Sequence, residues 1–231
     1  MIPARTLLAA VDFSEASRGS LHCAGRLAAR WRAALHVVHV VDPLLATAAQ
    51  MHHIELLAGT RDDLRTFCRE SALDDGVEPI LHVLIGHAAE TICEAAGTQG
   101  ADLIVAGSRG LSGLNRMVMG SIVERVIRGA RVSVLTVPGR CPADGVNEWG
   151  PVIAAIDDPE APESVTRAAA ALASSLGARL HIVHVVPPLA APARWKQEAD
   201  AAWQARSDEA RRGLTAAIRA LPVTPDNVHI A

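Results

Sequence analysis

The sequence of 231 residues contains no tyrosine, only two phenylalanines and four tryptophans, although half of its residues are hydrophobic. A core must therefore be built from Val, Ile, Leu and Ala. That composition suits helices that cover both faces of a parallel sheet. At this length the chain is either one large domain or two domains of ordinary size.

The motifs that the chain lacks disfavour several classes of protein. The four cysteines, Cys23, Cys68, Cys93 and Cys141, form no C-x-x-C pair and no zinc-site spacing, which favours a reduced, cytoplasmic setting. The first apolar run is cut short by Asp12, so it does not resemble a signal peptide, and no segment approaches the length of a membrane span. The net charge of −3 leaves no basic footprint for nucleic acid.

The chain contains an internal repeat at one constant spacing. Residues 6–12 (TLLAAVD) correspond to 151–157 (PVIAAID), and residues 35–41 (LHVVHVV) correspond to 180–186 (LHIVHVV). Such self-similarity indicates a duplicated supersecondary unit. Strand-like and helix-like runs alternate in both copies, which predicts a doubly wound α/β sheet with right-handed crossovers.

The elements of each copy follow from apolar periodicity and turn residues. The first copy, residues 1–138, is predicted to form strands at about 6–11, 35–41, 80–85, 102–106 and 132–137 and helices at about 14–31, 54–72, 88–96 and 122–128. Residues 139–150 are predicted to be a linker. The second copy, residues 151–231, is predicted to form strands at 151–156, 179–186 and 228–230 and helices at 163–175 and 194–220. We expect this copy to be an incomplete domain, because nothing corresponds to the fourth and fifth strands.

A glycine-rich segment lies between the fourth predicted strand and the next helix. Gly107, Gly110, Gly120 and Ser121 form the pattern G-x-x-G, nine residues, G-S. Backbone N–H groups in such a loop converge on an anion, and the helix N-terminus adds a favourable dipole. The segment therefore predicts a phosphate site. The alternative is a tight turn without a ligand, in which glycine merely permits a positive φ.

The glycine pattern, the acidic motif 11–15 (VDFSE) after the first strand and residues 40–42 (VVD) after the second together resemble the ATP-binding branch of the universal stress protein family. The resemblance covers one full domain and the first half of another, as in a tandem member with an incomplete second domain. It implies a five-stranded parallel sheet in the order 3-2-1-4-5, flanked by helices. It also implies ATP as the ligand, which Mg²⁺ can accompany.

The resemblance further implies how an adenine nucleotide would lie. Asp12 would accept hydrogen bonds from the ribose or adenine end, and the Val41 backbone would meet the adenine edge. The glycines would let the chain approach the ribose and phosphates, while the start of the following helix would hold the β- and γ-phosphates. The implied nucleotide-binding residues are Val11, Asp12, Phe13, Ser14, Val41, Ala106, Gly107, Arg109, Gly110, Gly120, Ser121, Ile122 and Val123.

Three positions set this chain apart from a complete copy of that site. Val123 stands where the family often has a hydroxyl residue, so one phosphate contact is lost. Arg109 is either a guanidinium clamp on a phosphate or an exposed loop arginine. In the second copy Asp158 adds a carboxylate that would repel phosphate, so we expect no nucleotide there.

The resemblance implies a nucleotide-dependent switch or interaction module in the stress response. We expect turnover to be slow or absent, because the chain has no P-loop motif. Two alternatives remain, a slow ATPase assisted by Asp12 or Arg109 and a nucleotide-free structural dimerisation module. We also expect a homodimer through residues 132–137, with an unknown protein partner and no nucleic-acid or membrane partner. His36 and His39 cannot share one metal ion, since residues three apart on a strand point to opposite faces.

Overall fold

The computed structural model describes residues 3–71, 73, 76–108, 119–138, 149–158, 162–221 and 228–230. The chain divides into two compact units. The first comprises Ala4–Asp144 and the second contains Gly145–Ala231. Both units alternate strands with helices. No helix among these described residues is both long and apolar enough to cross a membrane.

The first unit is a five-stranded parallel sheet with helices on both faces. Its elements, in chain order, are β1 (Thr6–Ala10), α1 (Glu15–Trp31), β2 (Ala34–Val41), α2 (Pro43–Met51), α3 (Leu56–Glu70), β3 (Ile80–Ile85), α4 (Ala88–Thr98), β4 (Leu103–Gly107), α5 (Ser121–Gly129) and β5 (Ser133–Val137). The strand order is β3-β2-β1-β4-β5, with all neighbours parallel. This order confirms the predicted fold.

The centre of this sheet is fully buried because apolar residues occupy both faces of β1 and β4. Leu7 and Leu8 are adjacent residues of β1, point to opposite faces and are both inaccessible to solvent. The core on one face joins Leu8 and Ile104 to residues of α4 and α5, whereas α1 covers the other face. Small residues in the helices allow this close coverage without aromatic side chains.

One helix was missing from the sequence prediction. Asp42 accepts a hydrogen bond from the Leu44 N–H (2.8 Å) and caps α2, and Pro43 occupies the first helical position. These are favourable residues for a helix start. The next helix, α3, is accordingly shorter than the predicted range 54–72, because α2 and a short turn occupy the preceding chain.

The second unit begins the same topology again. Its elements are β6 (Val152–Ala155), α6 (Glu163–Leu176), β7 (Leu180–Val183), α7 (Lys196–Arg219) and β8 (Val228–Ile230). They form a parallel sheet in the order β6-β7-β8, which repeats the relation of β1, β2 and β3. The second strand ends at Val183, three residues before the predicted boundary at 186.

Candidate functional site

A cavity of about 360 Å³ opens at the carboxyl ends of β1 and β4. These neighbouring strands continue into helices on opposite faces of the sheet, so the strand order reverses between them. Open α/β sheets bind ligands at this point, because the connections diverge and leave a crevice. The topology alone therefore makes this cavity the candidate site of the first unit.

The cavity brings together eight of the thirteen predicted site residues: Val11, Asp12, Ala106, Gly107, Gly120, Ser121, Ile122 and Val123. Phe13, Ser14 and Val41 do not line it. The Val41 carbonyl accepts a hydrogen bond from the Gly86 N–H at 3.1 Å. Arg109 and Gly110 lie outside the described residues.

The start of α5 forms one wall of the cavity. Gly120 is the N-cap residue with an extended backbone (φ −62°, ψ 139°), and none of the described side chains caps the helix. The first N–H groups of an α-helix have no partner within the helix. Ser121 and Ile122 are exposed and Val123 is buried, and all three line the cavity. This wall therefore offers backbone donors and a helix dipole that favour an anion.

Asp12 also lines the cavity, and hydrogen bonds hold its carboxylate in place. Its Oδ1 atom accepts hydrogen bonds from the Ser14 N–H (3.1 Å) and the Ser14 hydroxyl (2.5 Å). The Ser14 hydroxyl oxygen in turn accepts from the Ser17 N–H (3.2 Å), which caps α1. The capping network thus couples the carboxylate position to the first turn of the helix.

Phe13 packs against His39, a residue that lines the cavity. Its backbone adopts the left-handed region (φ 63°), which is uncommon for an aromatic residue. Its ring lies 4.5 Å from the His39 ring and 5.4 Å from the Phe67 ring, and the Arg18 guanidinium covers Phe67. His39 lines the cavity, and its Nδ1–H donates to the Val11 carbonyl at 2.9 Å. The predicted ligand residue Phe13 is therefore placed as a support of the cavity wall.

Gly107 is required by packing. A Cβ atom at this position would lie 2.8 Å from the Ala16 carbonyl oxygen and 2.9 Å from its carbon. The φ of Gly107 is not positive, so the tight-turn alternative does not account for this glycine. The absent side chain lets the start of α1 approach the end of β4, which brings the Asp12 segment close to the start of α5.

Sequence reasoning missed the apolar wall and two polar residues of the cavity: Ala10, Ser17, Val38, His39, Val40, Ala88, Ile92 and Val126. They come from β1, α1, β2, α4 and α5, so no local spacing joins them. The one available signal is that α4 begins directly after β3, at the same edge of the sheet. An apolar wall with a few polar groups is typical of a small-molecule site.

Metal-binding groups are absent from the part of the chain that the structure describes. No group of three or more His, Cys, Asp or Glu side chains there could hold an ion.

Burial raises the pKa of the Cys68 thiol to about 11, so this cysteine is not an activated nucleophile.

Comparison with known proteins identifies the same family in both copies of the repeat. The universal stress protein family model matches residues 3–138 and again 148–229. The universal stress protein YxiE of Bacillus subtilis is 30% identical over 143 residues, covering 57% of this chain and 97% of that protein. The universal stress protein MJ0531 of Methanocaldococcus jannaschii is 33% identical over 131 residues, covering 54% and 77%.

Solved structures show the same fold. Universal stress protein UspA from Lactobacillus plantarum superposes with a TM-score of 0.50 at 25% identity, covering 57% of this chain and 96% of that chain. A putative universal stress protein from Pseudomonas aeruginosa gives a TM-score of 0.61 at 19% identity, covering 98% of this chain and 73% of that chain. This second likeness extends the shared fold to both units.

Proposed function

Because this chain belongs to the universal stress protein family, we propose that it is a tandem member of the ATP-binding branch and that its first unit binds ATP. In this proposal the nucleotide-loaded unit acts as a switch or interaction module in the stress response. One observation carries the proposal. The same cavity is lined by apolar side chains and by the start of α5, whose N-terminal amides are capped by none of the described side chains.

The apolar part of the cavity suits a purine ring. Its volume of about 360 Å³ lies within the range of small-molecule sites, roughly 300–1,000 Å³. Val38, Ile92 and Val126 line the cavity with apolar side chains that carry no hydrogen-bond groups. Asp12, held by Ser14, supplies a carboxylate that can accept hydrogen bonds from ribose hydroxyls or the adenine amine.

The start of α5 suits the phosphates. The amides of Ser121, Ile122 and Val123 and the helix dipole would bind the β- and γ-phosphates. Asp12 is the one carboxylate among the described cavity residues, too few ligands to hold Mg²⁺ alone. The ion would therefore enter bound to the phosphates. Phosphate contacts from Arg109 and Gly110 remain predictions from the sequence.

The second unit is proposed to bind no nucleotide. Asp157 and Asp158 occupy the positions that correspond to Asp12 and Phe13, and both are exposed. They line a wide cleft together with Glu163 and Glu209, and Arg206 and Arg212 line it as well. The four carboxylates outnumber the two guanidinium groups, and both carboxylates at the end of β6 would repel a triphosphate. The expected stoichiometry is therefore one nucleotide per chain.

Calorimetric titration of the full chain with ATP tests this proposal. We expect saturable binding at one site per chain, in the presence of Mg²⁺. A release of phosphate that continues over many turnovers would favour the slow ATPase. Absence of binding at about 1 mM ATP, a limit that corresponds to roughly −4 kcal/mol, would contradict the proposal and favour the structural dimerisation module.

We also propose that β5 pairs with β5 of a second copy. This strand forms an edge of the sheet and carries no charged side chain. Unpaired N–H and C=O groups on such an edge favour pairing with another strand. Light scattering at micromolar concentration should give the mass of two chains, and the mass of one chain would contradict this interface.

A further inference from the structure

His39 of β2 holds the chain just beyond the end of β1. The Val11 N–H donates to the Val38 carbonyl at 3.0 Å, so its bond goes to the backbone of β2. The Val11 carbonyl accepts instead from a side chain, the Nδ1–H of His39, at 2.9 Å. A carbonyl can only accept, so Nδ1 is the protonated nitrogen of this ring. Both backbone groups of Val11 are therefore held by β2, and Asp12 follows from a fixed peptide unit.

His39 also contacts the residue that follows Asp12. The Phe13 ring lies 4.5 Å from the His39 ring, and Phe67 of α3 packs edge-on against Phe13 at 5.4 Å. The left-handed backbone of Phe13 (φ 63°) is uncommon for an aromatic residue, and such a conformation persists only where its surroundings hold it. One imidazole therefore restrains the residues on both sides of Asp12.

The second unit keeps the hydrogen bond of this arrangement without the ring contact. The Ile156 N–H donates to the Val183 carbonyl and the Ile156 carbonyl accepts from His184 Nδ1–H, both at 2.8 Å. Asp158 takes the place of Phe13 in the repeat, and its backbone is not left-handed. The histidine bond is thus common to both units, whereas the left-handed turn accompanies the aromatic ring of the first unit.

We propose that His39 is a positioning residue of the nucleotide site, which holds the Asp12 carboxylate where it meets the ribose or adenine end. This inference rests on the proposed function, because it concerns the same ATP site. Ser14 holds the carboxylate from the following turn, and His39 holds the backbone around it. A group that is already fixed in its bound position loses little conformational freedom when the ligand arrives, which favours affinity.

A double-mutant cycle on ATP affinity, measured by calorimetry on the full chain, tests this role. His39→Leu removes both the donor and the aromatic ring, and it should weaken ATP binding about fivefold or more. In the Asp12→Ala background the same change should have less than about a twofold effect, because the group that it positions is gone. His39 also lines the cavity, so direct contact with the nucleotide or a general disturbance of the site would instead give equal losses in both backgrounds.

Three further variants complete the experiment. His39→Asn should recover part of the affinity that His39→Leu loses, since the asparagine amide can still donate to the Val11 carbonyl. His184→Leu is the matched control, because it removes the same hydrogen bond in the second unit, and it should leave ATP affinity unchanged. Phe13→Gly removes the ring contact while glycine still adopts the left-handed region. It gives a second cycle with Asp12→Ala should thermal unfolding show that His39→Leu does not fold.

The outcomes separate the role of His39 from ATP binding itself. If the unchanged chain binds ATP and His39→Leu binds it equally well, the role of His39 is overturned and ATP binding stands. Equal losses in the presence and absence of the Asp12 carboxylate, or no recovery in His39→Asn, would overturn it in the same way. No ATP binding to the unchanged chain would overturn the proposed function and this inference together.

Discussion

Gly107→Ala is expected to lower the free energy of unfolding of the first unit by about 2 kcal/mol, within the ~1–3 kcal/mol range of overpacked cores. The new Cβ would lie 2.8 Å from the Ala16 carbonyl oxygen, and a backbone group cannot move aside as a flexible side chain can. The start of α1 must therefore shift away from β4. Because Asp12 is tied to that helix through Ser14, we also expect weaker ATP binding.

Gly97→Ala is the matched control for this substitution. Gly97 lies in α4, and nothing lies within 4 Å of the Cβ that alanine would add. Alanine is favoured over glycine in a helix by roughly 0.5–1 kcal/mol, so this variant should be equally stable or slightly more stable. Urea unfolding of both variants provides the comparison. A Gly107→Ala variant as stable as the parent would show that α1 does not depend on this close approach.

Ser121→Asp is expected to separate nucleotide binding from stability. A carboxylate in the first turn of α5 interacts favourably with the helix dipole, by about 0.3–1 kcal/mol, so the fold should be retained or slightly stabilised. The same charge would face the bound phosphates. Two like charges 4 Å apart repel by about 4 kcal/mol near a protein surface, so ATP affinity should fall at least about tenfold despite screening by salt.

Ser164→Asp serves as the control for the added charge. Ser164 lies in the first turn of α6 in the second unit, so the same residue change is made at another helix start. Its ATP affinity should equal that of the parent chain. Thermal unfolding and ATP titration of both variants are the measurements. Unchanged ATP binding in Ser121→Asp would mean that phosphates do not lie at the start of α5.

The parts of the fold that the sequence predicted well are those with a strong local pattern. The five strands of the first unit were placed within one or two residues, because each is an apolar run bounded by turn residues. The sequence left two candidates for the cap of α1, Ser14 and Ser17. The hydrogen bond from the Ser17 N–H to the Ser14 hydroxyl oxygen identifies Ser14 as the cap. The helix α2 was missed, since Asp42 was interpreted as the end of a strand although Asp-Pro also starts a helix.

The parts that could not be predicted depend on contacts between distant segments. Ile92 and Val126 face the cavity only because α4 and α5 pack on the same side of the sheet. From the sequence, Gly107 was expected to let the chain approach a ligand. The structure shows that it packs against Ala16, a residue more than ninety positions earlier in the sequence, so no local pattern could reveal this contact. The hydrogen-bond partner of His36 was likewise missed, because it lies on another strand. His82 is two residues beyond Ile80, the residue of β3 that is in register with His36.

A crystal structure of the full chain grown with ATP and Mg²⁺ tests the central claim most directly. We expect one nucleotide per chain in the first unit, with the adenine against Val38, Ile92 and Val126. The phosphates should lie within hydrogen-bond distance of the amides of residues 121–123. A nucleotide in the second unit, phosphates away from the start of α5, or an empty cavity at saturating ATP would contradict this account.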